Sequence, residues 1–118
     1  MKKVKLAWIF IQAFLFVGLS GCLKDPMTEK AFTPQQVKLY NKGRGVYNSV
    51  CITCHNIKPK LPGAIGPDVY GSSLELLSLK VLKGTYPKGY KPKRPSQNMP
   101  VFEDQKDDIE ALHFYLNN

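Results

Sequence analysis

The chain has 118 residues, 43% of them hydrophobic, and carries a formal net charge of +8. This length leaves room for one domain and excludes a second, and the absence of internal repeats in the sequence excludes a repeat array. The apolar fraction fits a globular core, although residues 1–22 hold a large share of it.

The N-terminus has the layout of an export signal. A head of three lysines precedes an apolar run over residues 6–19, and small residues then precede Cys22. The order Leu-Ser-Gly-Cys resembles the lipobox of bacterial lipoproteins, which implies a signal peptide over residues 1–21 and a lipid on Cys22. An uncleaved anchor helix is the alternative, because the uncharged stretch is just long enough to span a membrane. Both interpretations place the protein outside the cytosol, on the periplasmic side or the outer surface of a bacterium, attached to a membrane.

Residues 22–32 are predicted to be a tether, and the first helix is predicted to follow directly. Thr33 suits the N-cap, a proline follows it, and Gln36 completes a capping box. Apolar residues at helical spacing continue this helix to about Val50. Two glycines inside it cost about 1 kcal/mol each relative to alanine, so one of them is expected to permit a close helix contact.

Two further helices are predicted after this one. Ser72 and Glu75 would cap the second helix, Leu74, Leu77 and Val81 would line its apolar face, and Gly84 would end it. The third is expected from about Asp104 to Leu116, with Ile109, Leu112, Tyr115 and Leu116 as its apolar stripe.

Two proline-rich segments, residues 56–71 and 85–100, are predicted to be loops. The fold class is therefore all-α, with three or more helices separated by long loops. Such loops are unusual in a domain below about 100 residues, where three short helices rarely bury enough apolar surface. Something other than protein is expected to fill the centre.

The sequence Cys-Ile-Thr-Cys-His, residues 51–55, predicts the identity of the non-protein group at the centre. Two thiols at this spacing can form thioethers with the two vinyl groups of one porphyrin, and His55 can then supply an axial nitrogen to the iron. Cys51 and Cys54 would thus bind one covalent haem c. Three alternatives remain open: a redox-active thiol pair, which has no need of the histidine; a zinc site, which needs a fourth ligand such as His113; and a copper site that includes a methionine.

An electron-carrying haem needs a second axial ligand. The candidates are Met27 in the tether, Met99 in a loop, and His113 on the last helix. Pro100 favours an extended backbone at Met99, which suits a side chain that projects from a loop. We therefore expect His55 and Met99 to bind the metal.

Residues 33–118 resemble small single-haem cytochromes c with histidine–methionine ligation. Gly43, Tyr47 and Cys51 match the glycine, aromatic residue and first cysteine of that family in spacing, and Leu112 and Tyr115 match the residues against which the first two pack. "GPDVYG" resembles the loop after the haem motif, and "NMP" resembles the methionine loop. The resemblance implies a cytochrome c fold wrapped around one haem. It also implies that the carbonyl of Pro67 accepts the ring N–H of His55.

The resemblance further implies a one-electron carrier and not an enzyme, without a small-molecule substrate. Basic residues on the two loops beside the expected haem edge are candidates for docking an acidic redox partner: Lys58, Lys60, Lys88, Lys91, Lys93 and Arg94. General solvation or attraction to anionic lipid is the alternative role for them. Export makes nucleic acid a poor partner.

Three functions remain open at this point. The protein is a membrane-tethered shuttle between redox partners, or an electron-transfer subunit of an oxidase or a sulfur-compound-oxidising complex. In the weaker third possibility, the haem itself is catalytic or senses a ligand.

Overall fold

A computed structural model describes residues 31–95 and 97–118. Phe32–Asn118 forms one compact unit with three α-helices: α1 (Pro34–Val50), α2 (Leu74–Lys83) and α3 (Ile109–Leu116). Short 3₁₀ helices cover Cys51–Thr53 and Glu103–Asp108. No strand occurs within the described residues, so this part of the chain is all-α, as predicted.

The predictions for the N-terminus lie outside the described residues. They are the signal peptide over 1–21, the lipid on Cys22, the tether as far as residue 30, and the place of Met27. Among the helices of residues 31–95 and 97–118, none has the length and apolar character needed to cross a membrane.

The start of α1 follows the predicted pattern. The side chain of Thr33 accepts a hydrogen bond from the backbone N–H of Gln36 at 3.3 Å, and the side chain of Gln36 accepts one from the backbone N–H of Thr33 at 2.9 Å. This reciprocal capping box satisfies two N–H groups that the helix leaves without intrahelical partners. The helix ends at Val50, so the cysteine motif begins where α1 ends.

The predicted cap of α2 is wrong by one residue. Ser73, and not Ser72, is the N-cap, and its hydroxyl accepts a hydrogen bond from the N–H of Leu76 at 3.1 Å. The hydroxyl of Ser72 instead donates to the carbonyl of Val69 at 2.6 Å, which closes the preceding turn. Leu77 and Val81 are buried as predicted, whereas Leu74 at the first helical position is 41% exposed.

The end of α2 is the predicted one. Gly84 has a φ of 68°, a left-handed conformation that glycine adopts without strain, and its N–H bonds to carbonyls of the last helical turn.

The predicted third helix is α-helical only in its second half. Glu103–Asp108 is a 3₁₀ helix, and α3 begins at Ile109. Four of the six residues in the 3₁₀ stretch are acidic and none is apolar, so this stretch has no side chain that would draw it onto the core. Ile109, Leu112 and Leu116 are buried, as the predicted stripe requires, and Tyr115 is half-buried.

Helices α1 and α3 cross at Gly43. A Cβ atom at this position would overlap the backbone carbonyl of Ala111 and would lie 2.8 Å from the Cβ of Tyr115. The rings of Tyr47 and Tyr115 are 5.5 Å apart beside this crossing. The expectation that one glycine of α1 permits a close helix contact is therefore confirmed.

Candidate functional site

A cleft lies between the three helices and the two proline-rich loops. Its apolar wall consists of the half-buried Leu76 and five core residues, and these are Tyr47, Leu77, Val81, Leu112 and Leu116. The cleft contains about 980 Å³ of space, including the part that is open to solvent. The core residues thus surround a space that the chain itself does not fill.

The cysteine motif forms one side of this cleft. Cys51, Cys54 and His55 all line it, because the 3₁₀ turn after α1 places them there. The N–H of His55 bonds to the carbonyl of Cys51 at 2.9 Å, which keeps the motif tightly wound. Both cysteines are free thiols in the structure.

The environment of Cys51 does not favour thiol exchange. Burial, with a smaller contribution from Cys54, raises the pKa of the Cys51 thiol to about 11. Thiol exchange needs the thiolate, and this thiol is protonated at neutral pH.

One ring nitrogen of His55 is already bound to protein. Its Nδ1 lies 2.7 Å from the carbonyl oxygen of Pro67, as the resemblance implied. A carbonyl oxygen can only accept, so Nδ1 carries the proton, and in the neutral ring Nε2 then has a free lone pair. A Cβ atom at Gly66 would overlap the imidazole ring, so the loop packs directly against the ring. The ring is therefore fixed in orientation with one nitrogen available to a ligand.

The loop after His55 folds back onto the cysteine motif. The N–H groups of Ile65 and Gly66 both bond to the carbonyl of Cys54, at 3.4 Å and 2.8 Å. Gly63 approaches the same carbonyl so closely that a Cβ atom would overlap it. Contact with this carbonyl accounts for Gly63, and contact with the His55 ring accounts for Gly66.

The hydroxyl of Tyr47 is a contact that the sequence did not predict. Tyr47 is 1% exposed, and its hydroxyl donates to the carbonyl of Asn56 at 2.6 Å. Burial raises the pKa of this phenol to about 12. The hydroxyl therefore attaches α1 to the residue that follows His55. A tyrosine among the apolar residues of α1 was the only sequence signal of this contact.

Met99 reaches the same cleft from a distant part of the chain. It is half-buried, lines the cleft, and packs against the core cluster that includes Tyr47 and Leu77. The backbone after it is attached to α2, because the N–H of Phe102 bonds to the carbonyl of Val81 at 2.8 Å. His113, the other candidate within the described residues, does not line the cleft.

Polar groups line another part of the cleft: Asp68, Ser72, Lys80, Tyr86, Tyr90, Lys93, Arg94 and Asn98. The rings of Tyr86 and Tyr90 stack with their centroids 5.3 Å apart, and the Lys80 ammonium lies 4.3 Å from the centroid of Tyr86. This side of the cleft presents cationic and hydroxyl groups.

The six basic residues predicted for docking fall into two groups. Lys58, Lys60, Lys88 and Lys91 are exposed. Lys93 forms an ion pair with Asp68 at 2.6 Å, and Arg94 donates hydrogen bonds to backbone carbonyls. The last two are thus bound within the molecule, which sequence reasoning did not predict.

Within residues 31–95 and 97–118, no three His, Cys, Asp or Glu side chains come together in a way that could hold a metal ion. Comparison of the chain with family models, curated proteins and solved structures found no match.

Proposed function

We propose that the protein is a c-type cytochrome that carries one electron at a time between redox partners. In this proposal Cys51 and Cys54 would bind one haem c through thioethers, and His55 and Met99 would bind its iron. The observation that carries the proposal is that these four side chains, which come from two distant parts of the chain, line one cleft.

The residues of the cleft fit this group chemically. Its apolar wall suits the porphyrin face, and the cationic and hydroxyl groups suit the carboxylates of the porphyrin. Nε2 of His55 is the nitrogen left free by the bond to Pro67, so it is the one available to iron.

Each residue has a defined task in electron transfer. When bound, haem c supplies an iron centre that gains and loses one electron. The carbonyl of Pro67 holds the ring of His55 and increases the basicity of its free nitrogen. A methionine sulfur bound to that iron would raise the reduction potential, and so would burial. Because His55 and Met99 would both bind the iron and leave no place on it for a substrate, we propose a carrier and not an enzyme.

The proposed location follows from the N-terminal pattern. A lipid on Cys22 would keep the protein at a membrane outside the bacterial cytosol, where its partners would be exported or membrane-bound redox proteins. The exposed lysines would favour a partner that is acidic at its docking site.

The absorption spectrum of the protein, produced in a host that matures c-type cytochromes, tests the proposal. We expect low-spin c-type bands and a weak near-infrared sulfur-to-iron band. Met99→Ala should abolish the near-infrared band, whereas His113→Ala should keep it, because His113 does not line the cleft. Persistence of the band in Met99→Ala would transfer the ligand role to another residue. A colourless protein whose two thiols both react with an alkylating reagent would refute the proposal.

A further inference from the structure

Arg94 binds three successive backbone carbonyls of the loop that follows the cysteine motif. Its Nη2 donates to Gly63 at 2.9 Å, and its Nη1 donates to Ile65 at 2.8 Å and to Ala64 at 3.3 Å. The planar guanidinium presents several N–H groups in a fixed arrangement, so it can hold several acceptors at once. One side chain therefore fixes this turn from a segment about thirty residues further along the chain.

Lys93 binds the same loop slightly further along. Its ammonium lies 2.6 Å from a carboxylate oxygen of Asp68 and 3.1 Å from the carbonyl oxygen of the same residue. The hydrogen bond from Lys93 lowers the pKa of the Asp68 carboxyl group. This pair is exposed, and exposed ion pairs contribute little to stability. Arg94, half-buried and with three acceptors, is the main attachment.

The two basic residues hold the loop on both sides of Gly66 and Pro67. We call this set of contacts, made by Lys93 and Arg94 with residues 63–65 and Asp68, the basic clasp. Gly66 packs against the ring of His55, and Pro67 accepts its hydrogen bond. The clasp therefore fixes the stretch of backbone that orients the imidazole.

The clasp also fixes the segment that carries Met99. The described residues between Gly84 and Glu103 form no helix or strand, so the position of this segment depends on its attachments. Arg94 attaches it before Met99, and the bond from Phe102 to Val81 attaches it after Met99. Lys93 and Arg94 thus connect the side of the cleft that carries His55 with the segment that carries Met99.

We propose that the basic clasp positions Met99 relative to His55, and that Lys93 and Arg94 serve this purpose and not partner docking. The proposal rests on the proposed function, because it assigns Met99 and His55 to one iron. A loop segment gains conformational entropy when its attachment is removed. Without the clasp, Met99 would therefore leave the iron more often. Arg94 is a positioning residue that acts through backbone carbonyls.

The test uses the full-length haem-loaded protein and the variants Arg94→Gln, Arg94→Lys, Lys93→Ala and Lys42→Ala. Lys42 is a matched control for Lys93, because its ammonium also bonds to one carbonyl, Asp107 at 3.1 Å, and to one carboxylate, Asp108 at 2.6 Å. It connects α1 with the 3₁₀ helix and does not line the cleft. The readouts are the near-infrared sulfur-to-iron band, the rate of carbon monoxide binding to the reduced protein, and amide exchange at Gly63 and Gly66.

We expect Arg94→Gln to weaken the near-infrared band, to accelerate carbon monoxide binding roughly tenfold, and to accelerate exchange at both glycines. Arg94→Lys should restore part of each effect, since an ammonium can bind some of the three carbonyls. Lys93→Ala should have a smaller effect in the same direction, and Lys42→Ala should leave the band and the carbon monoxide rate unchanged.

The outcomes separate this inference from the proposed function. If the unsubstituted protein shows the band and Arg94→Gln keeps both the band and the slow carbon monoxide rate, the clasp has no positioning role while the cytochrome assignment stands. An equal effect of Lys42→Ala would also overturn the inference, because general destabilisation would then account for it. Absence of the band from the unsubstituted protein would reject methionine ligation and this inference with it.

Discussion

At the scale of single residues, the hydroxyl of Tyr47 shows how one polar atom connects the helical core to the site. The ring is buried between α1 and α3, where any large apolar side chain would pack. Its hydroxyl reaches the carbonyl of Asn56, next to His55. A buried carbonyl that loses its partner is costly, so we expect the hydroxyl to stabilise both the fold and the turn that carries the imidazole.

Tyr47→Phe should lower the free energy of unfolding by about 0.5–1.5 kcal/mol at neutral pH. Tyr40→Phe is the control, because the Tyr40 ring also packs against Tyr115 but its hydroxyl has no hydrogen-bond partner among the described residues. Urea unfolding of the two variants beside the unsubstituted protein measures the difference. An equal change in both variants would contradict a specific role for the hydroxyl of Tyr47.

The same tyrosine predicts a dependence on alkaline pH. Its pKa is about 12 in the folded protein and near 10 in the unfolded chain. The unfolded state therefore releases the proton first, and stability falls as the pH rises from 10 to 12. The advantage of the unsubstituted protein over Tyr47→Phe should shrink across that window, as urea unfolding at several pH values would show. A constant difference from pH 8 to 12 would argue against a buried, neutral phenol.

At the scale of secondary structure, the two glycines of α1 look alike in the sequence and differ in the structure. Gly43 lies at the crossing with α3, where a methyl group would overlap the carbonyl of Ala111. Gly45 has no atom within 4 Å of its would-be Cβ. Only the first is required by packing, and the second carries the entropic cost of a glycine in a helix without a contact in return.

Alanine substitution should therefore have opposite effects at these two positions. Gly45→Ala should stabilise the protein by about 0.5–1 kcal/mol, the usual gain from replacing a helical glycine. Gly43→Ala should destabilise it by about 1–3 kcal/mol, since the helices must separate to make room. Thermal unfolding of both variants provides the measurement, and a loss of stability in Gly45→Ala would show that the open space beside it is occupied in solution.

The helices could be predicted because their signals are local. Thr33, Gln36 and Gly84 act through bonds to backbone within one or two turns, so the sequence is enough to place them. The cap of α2 was misplaced because Ser72 and Ser73 are both good caps, and the choice depends on the turn at Val69. The 3₁₀ geometry of Glu103–Asp108 was missed because acidic residues also suit the start of an α-helix.

In the candidate site, too, the local features could be predicted and the contacts between distant segments could not. The cysteine motif could be identified from its spacing, whereas the bond from His55 to Pro67 was expected only from the resemblance to small cytochromes c. The contacts of Arg94 with residues 63–65 could not, because they join segments far apart in sequence and depend on where two irregular loops meet. Sequence alone could not distinguish a basic residue bound within the molecule from one that faces solvent.

At the scale of the whole molecule, the charge is uneven. The middle of the chain carries the exposed lysines of the two loops, whereas Glu103–Asp108 is acidic. Charge separated in this way produces a directional field, which mainly changes the rate of encounter with a charged partner. With Lys93 and Arg94 bound within the molecule, Lys58, Lys60, Lys88 and Lys91 remain as the basic residues proposed to attract an acidic partner.

The proposed role of this surface in electron transfer can be tested on the haem-loaded protein with small redox reagents in place of a protein partner. Oxidation of the reduced protein by anionic hexacyanoferrate should slow as salt is added, because ions screen attraction beyond about 10 Å at 0.1 M ionic strength. Lys88→Gln with Lys91→Gln should reduce the low-salt rate and flatten its dependence on salt. Lys38→Gln removes an exposed lysine of α1 that belongs to neither loop and does not line the cleft, so it is the matched control and should change little.

A cationic cobalt complex provides the opposite test. Its rate should rise with salt, since the same lysines repel it, and the double variant should react faster with it at low salt. If the variant instead slowed both reagents, the loop substitutions would have altered the proposed haem site and not the electrostatic field. If salt affected neither reagent in the unsubstituted protein, the lysines would not surround the point of electron transfer, and solvation would be their remaining role.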